Sequence, residues 1–315
     1  MIESRRFFPV KFIKLMTFFY SFLFTFSPMQ NIFIHPPIDT AKMHKEILAE
    51  LAKQPAGNFA VAFEDLATGE QFLMNAHENF HAASTIKTAF LIETFKQADE
   101  GKFSLNDSIL IHNDFRSIVD ESLYHLDSTD DSERDLYRRI GQKETIYNLL
   151  YRMITQSSNF ATNLIVDLID AKNANSTMRS IGAKNIQALR GVEDSKAYEL
   201  GLNNTVTAYD LMIIFDHLAK GTVVNKPACD SMIQILMHQQ LREKIPAKLP
   251  ANVKVANKTG SITKISHDSG IVFLPDGRKY VLVLLSKGVE DENAANETLA
   301  RVSRIIYDYV TGNKN

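Results

Sequence analysis

Cysteine is almost missing from this chain: Cys229 is the single one in 315 residues. That excludes an internal disulfide and any cysteine-ligated metal cluster. Net charge is almost missing too, at −2, so nothing draws the chain as a whole toward nucleic acid or an anionic membrane. There is no phosphate-cradling glycine loop, no His-Glu-x-x-His and no internal repeat. The 9 histidines are scattered, and the nearest thing to a ligand pair, His77 with His81, reads as a loop or strand end rather than a zinc site. Neither a metal nor a cofactor is expected. What remains is an ordinary globular composition, 45% apolar and 23% charged, with enough apolar residues to bury a core. The length fits one large domain or two intertwined subdomains.

The first 34 residues read as an export signal or an uncleaved N-terminal anchor. Arg5, Arg6, Lys11 and Lys14 form a basic start, and Leu15 to Ser27 is uncharged and rich in Phe, Leu and Met. Pro28, Gln30 and Asn31 then cut the apolar run short of a membrane span. Thr25-Phe26-Ser27 is the closest approach to a small-x-small cleavage site. The expected location is outside the cytoplasm, periplasmic or secreted, with membrane contact only through this segment.

The rest, 41–313, reads as one α+β catalytic domain. Ala41 to Lys53 carries a helical stripe, and Phe59 to Asp65 alternates like a strand, turns at Ala67-Thr68-Gly69-Glu70 and returns over Gln71 to Met74. The stretch 84–220 is mainly helical. Within it, 112–143 is dense in Asp, Ser and Arg and reads as a solvated loop, of a length that suits the rim of a cleft. Leu189 to Asn204 reads as irregular and polar. Thr207 with Asp210 reads as a capping box opening a helix that Gly221 closes. Val253 to Lys258 reads as a strand ending in Lys258-Thr259-Gly260, and Pro275-Asp276-Gly277 turns a hairpin before a final amphipathic helix. Strands at both ends of the chain predict one antiparallel sheet built from 41–75 and 250–313, backed by helices, with a helical subdomain inserted.

Ser84 and Lys87 sit three apart at the head of a very apolar run. On a helix such positions share a face, which sets a hydroxyl beside an amine. The unpaired N–H groups of a helix start add a place for a developing oxyanion. Ser-x-x-Lys by itself turns up about once by chance in a chain of this length. Two further motifs follow in order: Ser157-Ser158-Asn159 between two helices, where Asn159 also reads as a cap, and Lys258-Thr259-Gly260 on a strand.

With the three in order and in these contexts, the chain resembles the class A β-lactamases and the related penicillin-binding serine peptidases. The resemblance runs from about Ala41 to the C-terminus, and Met153 to Leu164 is especially similar. It implies a β-lactam or a peptidoglycan-like acyl compound as substrate, and a monomer. By resemblance, Ser84 is the nucleophile, Lys87 its base, and Ser157 the proton carrier to the leaving nitrogen. Asn159 holds Lys87 and the substrate amide, Lys258 and Thr259 bind the carboxylate, and Gly260 admits the substrate. The N–H groups of Ser84 and Ser261 make the oxyanion hole. Glu193 is the candidate for activating the deacylating water.

The match is incomplete around Glu193. The family's Arg-x-Glu is here Arg190-Gly191-Val192-Glu193, its later asparagine is Ala197, its loop aspartate falls at Asn204, and the middle of its Ser-Asp-Asn is Ser158. The candidates for a further carboxylate-binding cation are Lys264 and Arg278. The alternatives are a penicillin-binding peptidase or esterase that acylates and turns over slowly, and a ligand-binding domain on a retired hydrolase fold.

Overall fold

A computed structural model describes Met1 and residues 39–312. The expected export segment lies outside the described residues. The central sheet is built from β1 (Asn58–Asp65), β2 (Gln71–Met74), β3 (Lys254–Ile262), β4 (Ile265–Phe273) and β5 (Lys279–Lys287). Its order is β2-β1-β5-β4-β3, with every neighbour antiparallel. An early strand and a late one meet in the β1–β5 pair, Asn58 opposite Lys287 and Asp65 opposite Tyr280.

Alternation along each strand loads both faces. Phe59, Val61 and Phe63 of β1, with Leu282 and Leu284 of β5, face the terminal helices α1 (Thr40–Leu51) and α9 (Glu292–Thr311). Ala60, Ala62, Val281 and Val283 face the larger helical core. That core is built from α2 (Lys87–Asp99), α3 (Ile146–Thr155), α4 (Asn159–Ile169), α5 (Ala171–Ser180), α7 (Ala208–Lys220) and α8 (Lys226–Met237). α2 is buried nearly all round, Lys87 and Glu93 included. Thr207 caps α7 by accepting from Asp210 N at 3.0 Å, and Gly221 closes it at φ 73°. The Asp210 carboxylate does not reach back as a capping box would. It turns outward to the N–H groups of Asn185 and Ile186, at 2.7 and 2.5 Å.

Three expectations need correction. First, 112–143 is a solvated loop only in part: most of it is exposed, but a few residues are tied into the helical subdomain. Asp131, Glu133 and Leu136 are buried, Arg152 of α3 pairs with Glu133 at 2.9 Å, and Tyr137 stacks on Phe160 of α4. Within the acidic run Asp127 and Asp130 stay exposed, while Asp131 and Glu133 turn in against the helical subdomain. Second, the irregular stretch after Leu189 contains a short helix, α6 (Ser195–Glu199), capped by the buried Asp194. Third, Lys258-Thr259-Gly260 lies in the middle of β3, which runs on to Ile262, because β4 pairs with it as far as Ile265.

Candidate active site

Ser84 sits in a 3-10 turn, Ala83–Ile86, that leads into α2. Ala83 holds φ 44° immediately before it. β3 passes close by: a Cβ on Gly260 would lie 3.0 Å from Ser84 N and 3.1 Å from Thr85 N. Only glycine lets the strand run that near the nucleophile's backbone.

The turn between α3 and α4 closes over Lys87. Its Nζ donates to Ser157 O at 2.7 Å and Asn159 Oδ1 at 2.9 Å, with Ser157 Oγ and Ser158 O each at 3.4 Å. From the sheet, Lys258 Nζ donates to the same Ser157 Oγ at 3.0 Å and to Thr259 O at 2.8 Å. Two fully buried amines therefore flank one hydroxyl. Burial disfavours charge on both. It lowers Lys87 to about 7, against the opposing pull of Asp131 and Glu193. It carries Lys258 well below the lysine range, helped by the charges of Lys87 and Lys244.

Glu193 comes from the opposite wall, and its Oε1 accepts from Asn159 Nδ2 at 3.0 Å. Its loop is clamped to α4 by Asn163, which takes both the N–H (2.7 Å) and the C=O (3.0 Å) of Val192. Gly191 makes room for that clamp, since a Cβ there would lie 2.3 Å from Asn163 Oδ1. Where the family has an aspartate against the loop arginine, this chain uses amides. Asn203 Oδ1 accepts from Arg190 Nη2 at 3.0 Å, while Asn204 takes up the backbone of Leu189 and Arg190. Ala197 is buried on α6, so position 197 brings no polar side chain toward Glu193. Ser157 and Glu193 both hold φ 61°. For residues with a Cβ this costs about 1 kcal/mol each and needs firm surroundings.

A cavity of about 320 Å³ opens between these walls, lined by Ser84, Asn159, Glu193 and Ser261 together with His81, Arg190 and Tyr198. Thus Ser84, Lys87, Ser157, Asn159, Glu193, Lys258, Thr259, Gly260 and Ser261 all converge on one region. His81 lines it as a hydrogen-bond acceptor from Ala83 N at 3.0 Å. His77 packs on Tyr209 instead.

Neither Lys264 nor Arg278, the two candidates for a further cation, lines this cavity. Lys264 occupies the β3–β4 turn and pairs with Glu290 at 2.6 Å. Arg278 is at the far end of β4, against Asp276 and Val310 O. The buried Lys244, from the segment after α8, does reach a residue of the cavity wall: its Nζ donates to Ser261 Oγ at 2.9 Å. Nothing local in the sequence signals it, because its burial comes from β3 and β4. Asp268 of β4 lies beneath, bound to Asn257 Nδ2 and Ile245 N and pushed up to about 6 by burial.

An antiparallel sheet, a serine in the turn before α2, two buried amines and a carboxylate thus meet around one cleft, a set of groups that suits acyl transfer. The chain belongs to the β-lactamase enzyme family, whose pattern matches residues 42–310. Among curated proteins it is similar to the extended-spectrum β-lactamase PER-1 of Pseudomonas aeruginosa, 23% identical over 76% of this chain and 78% of that one. A β-lactamase of Bacteroides uniformis is 24% identical, over 76% and 82%. Among solved structures, a β-lactamase from Sphaerobacter thermophilus covers 87% of this chain and 98% of its own, with TM-score 0.74 and 23% identity. PBP-A covers 88% and 99%, with TM-score 0.76 and 24% identity.

Proposed function

We propose that this enzyme opens β-lactams through a Ser84 acyl-enzyme and then hydrolyses it. The observation that carries the reading is the chain of contacts from Lys87 through Ser157 Oγ to Lys258 beside Ser84. A neutral lysine has two N–H groups and one lone pair. Its two short contacts go to Ser157 O and Asn159 Oδ1, which can only accept. The lone pair is left to take the Ser84 proton. Ser84 Oγ then bonds to the carbonyl carbon, and the N–H groups of Ser84 and Ser261 hold the oxyanion. The ring C–N bond breaks, and the Ser157 hydroxyl delivers a proton to the nitrogen, replenished from the flanking amines. Lys258 and Thr259, as N–H and O–H donors, and Lys244, by charge, bind the substrate carboxylate. Water activated by Glu193 then attacks the ester, and Ser84 leaves with a proton returned.

The test is turnover of a chromogenic β-lactam, followed in parallel by intact mass. Wild type should hydrolyse it, Ser84→Ala should be inert, and Glu193→Gln should accumulate the adduct. No turnover and no adduct in wild type would sink the reading.

A second reading, a penicillin-binding peptidase or esterase that acylates and releases slowly, draws on the apolar Ala197 where the family has an asparagine and on the likeness to PBP-A. A wild-type adduct stable for hours would favour it. The N-terminal segment supports export, which fractionation of an expressing cell checks.

A further inference from the structure

The Ser157–Asn159 turn is held from two sides. Its carbonyls, Ser157 O and Ser158 O, take the Lys87 amine. Its amides go elsewhere. Asn159 N donates to Asp131 Oδ1 at 3.0 Å and Phe160 N to Asp131 Oδ2 at 2.8 Å. The carboxylate is buried and also accepts from Tyr137 OH at 3.0 Å and Glu133 N at 3.2 Å, with Ser158 Oγ at 3.4 Å. It stands at the N-terminus of α4, where unpaired N–H groups favour an anion. Ser158, the residue inside the turn, uses its hydroxyl to cap Ala161 N and carries no charge.

We propose that Asp131 is the positioning residue of this turn, supplying from a loop 27 residues upstream of Ser158 the carboxylate that the turn's own middle residue lacks. It fixes the left-handed Ser157, and with it the hydroxyl between the two amines and the Asn159 amide that meets Glu193. It also acts as a counter-charge to Lys87 from across the turn. A plain loop anchor would do the first without the second. The inference takes the site to be the acylating one described above, and its test stands apart from turnover.

The charged groups facing Lys87 are Asp131 from this loop, Glu193 from the opposite wall and Lys258 from β3. Tyr137 faces Asp131 as a donor. In Asp131→Asn an amide replaces the carboxylate: one oxygen stays an acceptor, the other position becomes a donor set against an N–H. Lys87 also loses a negative neighbour, so its charged form is less favoured. Ser158→Asp brings a second carboxylate to within hydrogen-bond distance of the first, and two like charges cannot both settle there. Aspartate still caps a helix, so the double variant Ser158→Asp/Asp131→Asn restores one carboxylate to the turn.

The experiment is a carbon-13 NMR titration of the Lys87 Cε resonance, assigned through Lys87→Arg, in wild type, both single variants and the double. The midpoint should fall by about one pH unit in Asp131→Asn and return toward wild type in the double. Each single variant should lose about tenfold or more in acylation rate, and the double should exceed both. A midpoint unmoved in Asp131→Asn, or a double variant no better than the poorer single, overturns the proposal. If Asp131→Asn does not fold, Ser158→Asp is set against the double variant: a double that acylates faster supports the proposal, and one that does not overturns it. If wild type forms no adduct, the acylation reading fails while the titration still reports on Asp131.

Discussion

Lys87 and Lys258 reach the same Ser157 hydroxyl while fully buried, and the consequence is a pH dependence with a definite sign. Burial lowers Lys87 from the ordinary lysine value to about 7. Below that pH the amine is protonated and has no lone pair for Ser84. Acylation, measured as adduct formation by stopped-flow quench and mass, should rise about tenfold per pH unit below 7 and level off above it. Lys244 makes a different prediction. Its amine sits 2.9 Å from Ser261 Oγ, beside the proposed carboxylate site. Lys244→Met should raise KM for carboxylate-bearing β-lactams by about tenfold and leave kcat less changed, as a lost charged hydrogen bond in the ground state would. Ser84 and Lys87 were legible as candidates from spacing alone, because positions three apart at a helix start share a face. Lys244 was not, because a lysine in an irregular segment carries no pattern.

Segments set the site by how closely they approach. The Glu193 loop is held by two hydrogen bonds from Asn163 to Val192, and Gly191 leaves the space for them. Gly191→Ala would push a methyl into the Asn163 carbonyl and cost about 1–3 kcal/mol. The loop should loosen before the fold does, so steady-state adduct should build up in this variant more than acylation slows, measured by intact mass over time. The extra residue between Arg190 and Glu193 does not carry the carboxylate away: Glu193 turns back at φ 61° onto Asn159. Spacing could not reveal this, since the backbone angle at Glu193, not the count from Arg190, decides where its side chain points. The hairpin and helix stripes were readable because their periods are local. The end of β3 was not, because its length is set by pairing with β4.

Early and late strands of the described residues join in one sheet, and each sheet face carries its own core. The terminal-helix core lies across the sheet from the helical subdomain, so stability and chemistry should separate. Leu299→Ala on α9, a buried leucine, should cost about 2–5 kcal/mol. Thermal unfolding should show a lower Tm, while kcat/KM of the folded protein at low temperature stays unchanged. The order of three motifs, the apolar periods and the strands at both ends were enough to fix the sheet's composition and name its catalytic candidates. They are short-range signals, carried by neighbours in the chain. The partners of the buried charges came from folding alone: Asp131 under the Ser157–Asn159 turn, Lys244 behind Ser261, Asn203 against Arg190. A buried charge takes whichever counter-group packing brings within reach, and that group's place in the chain is free to vary.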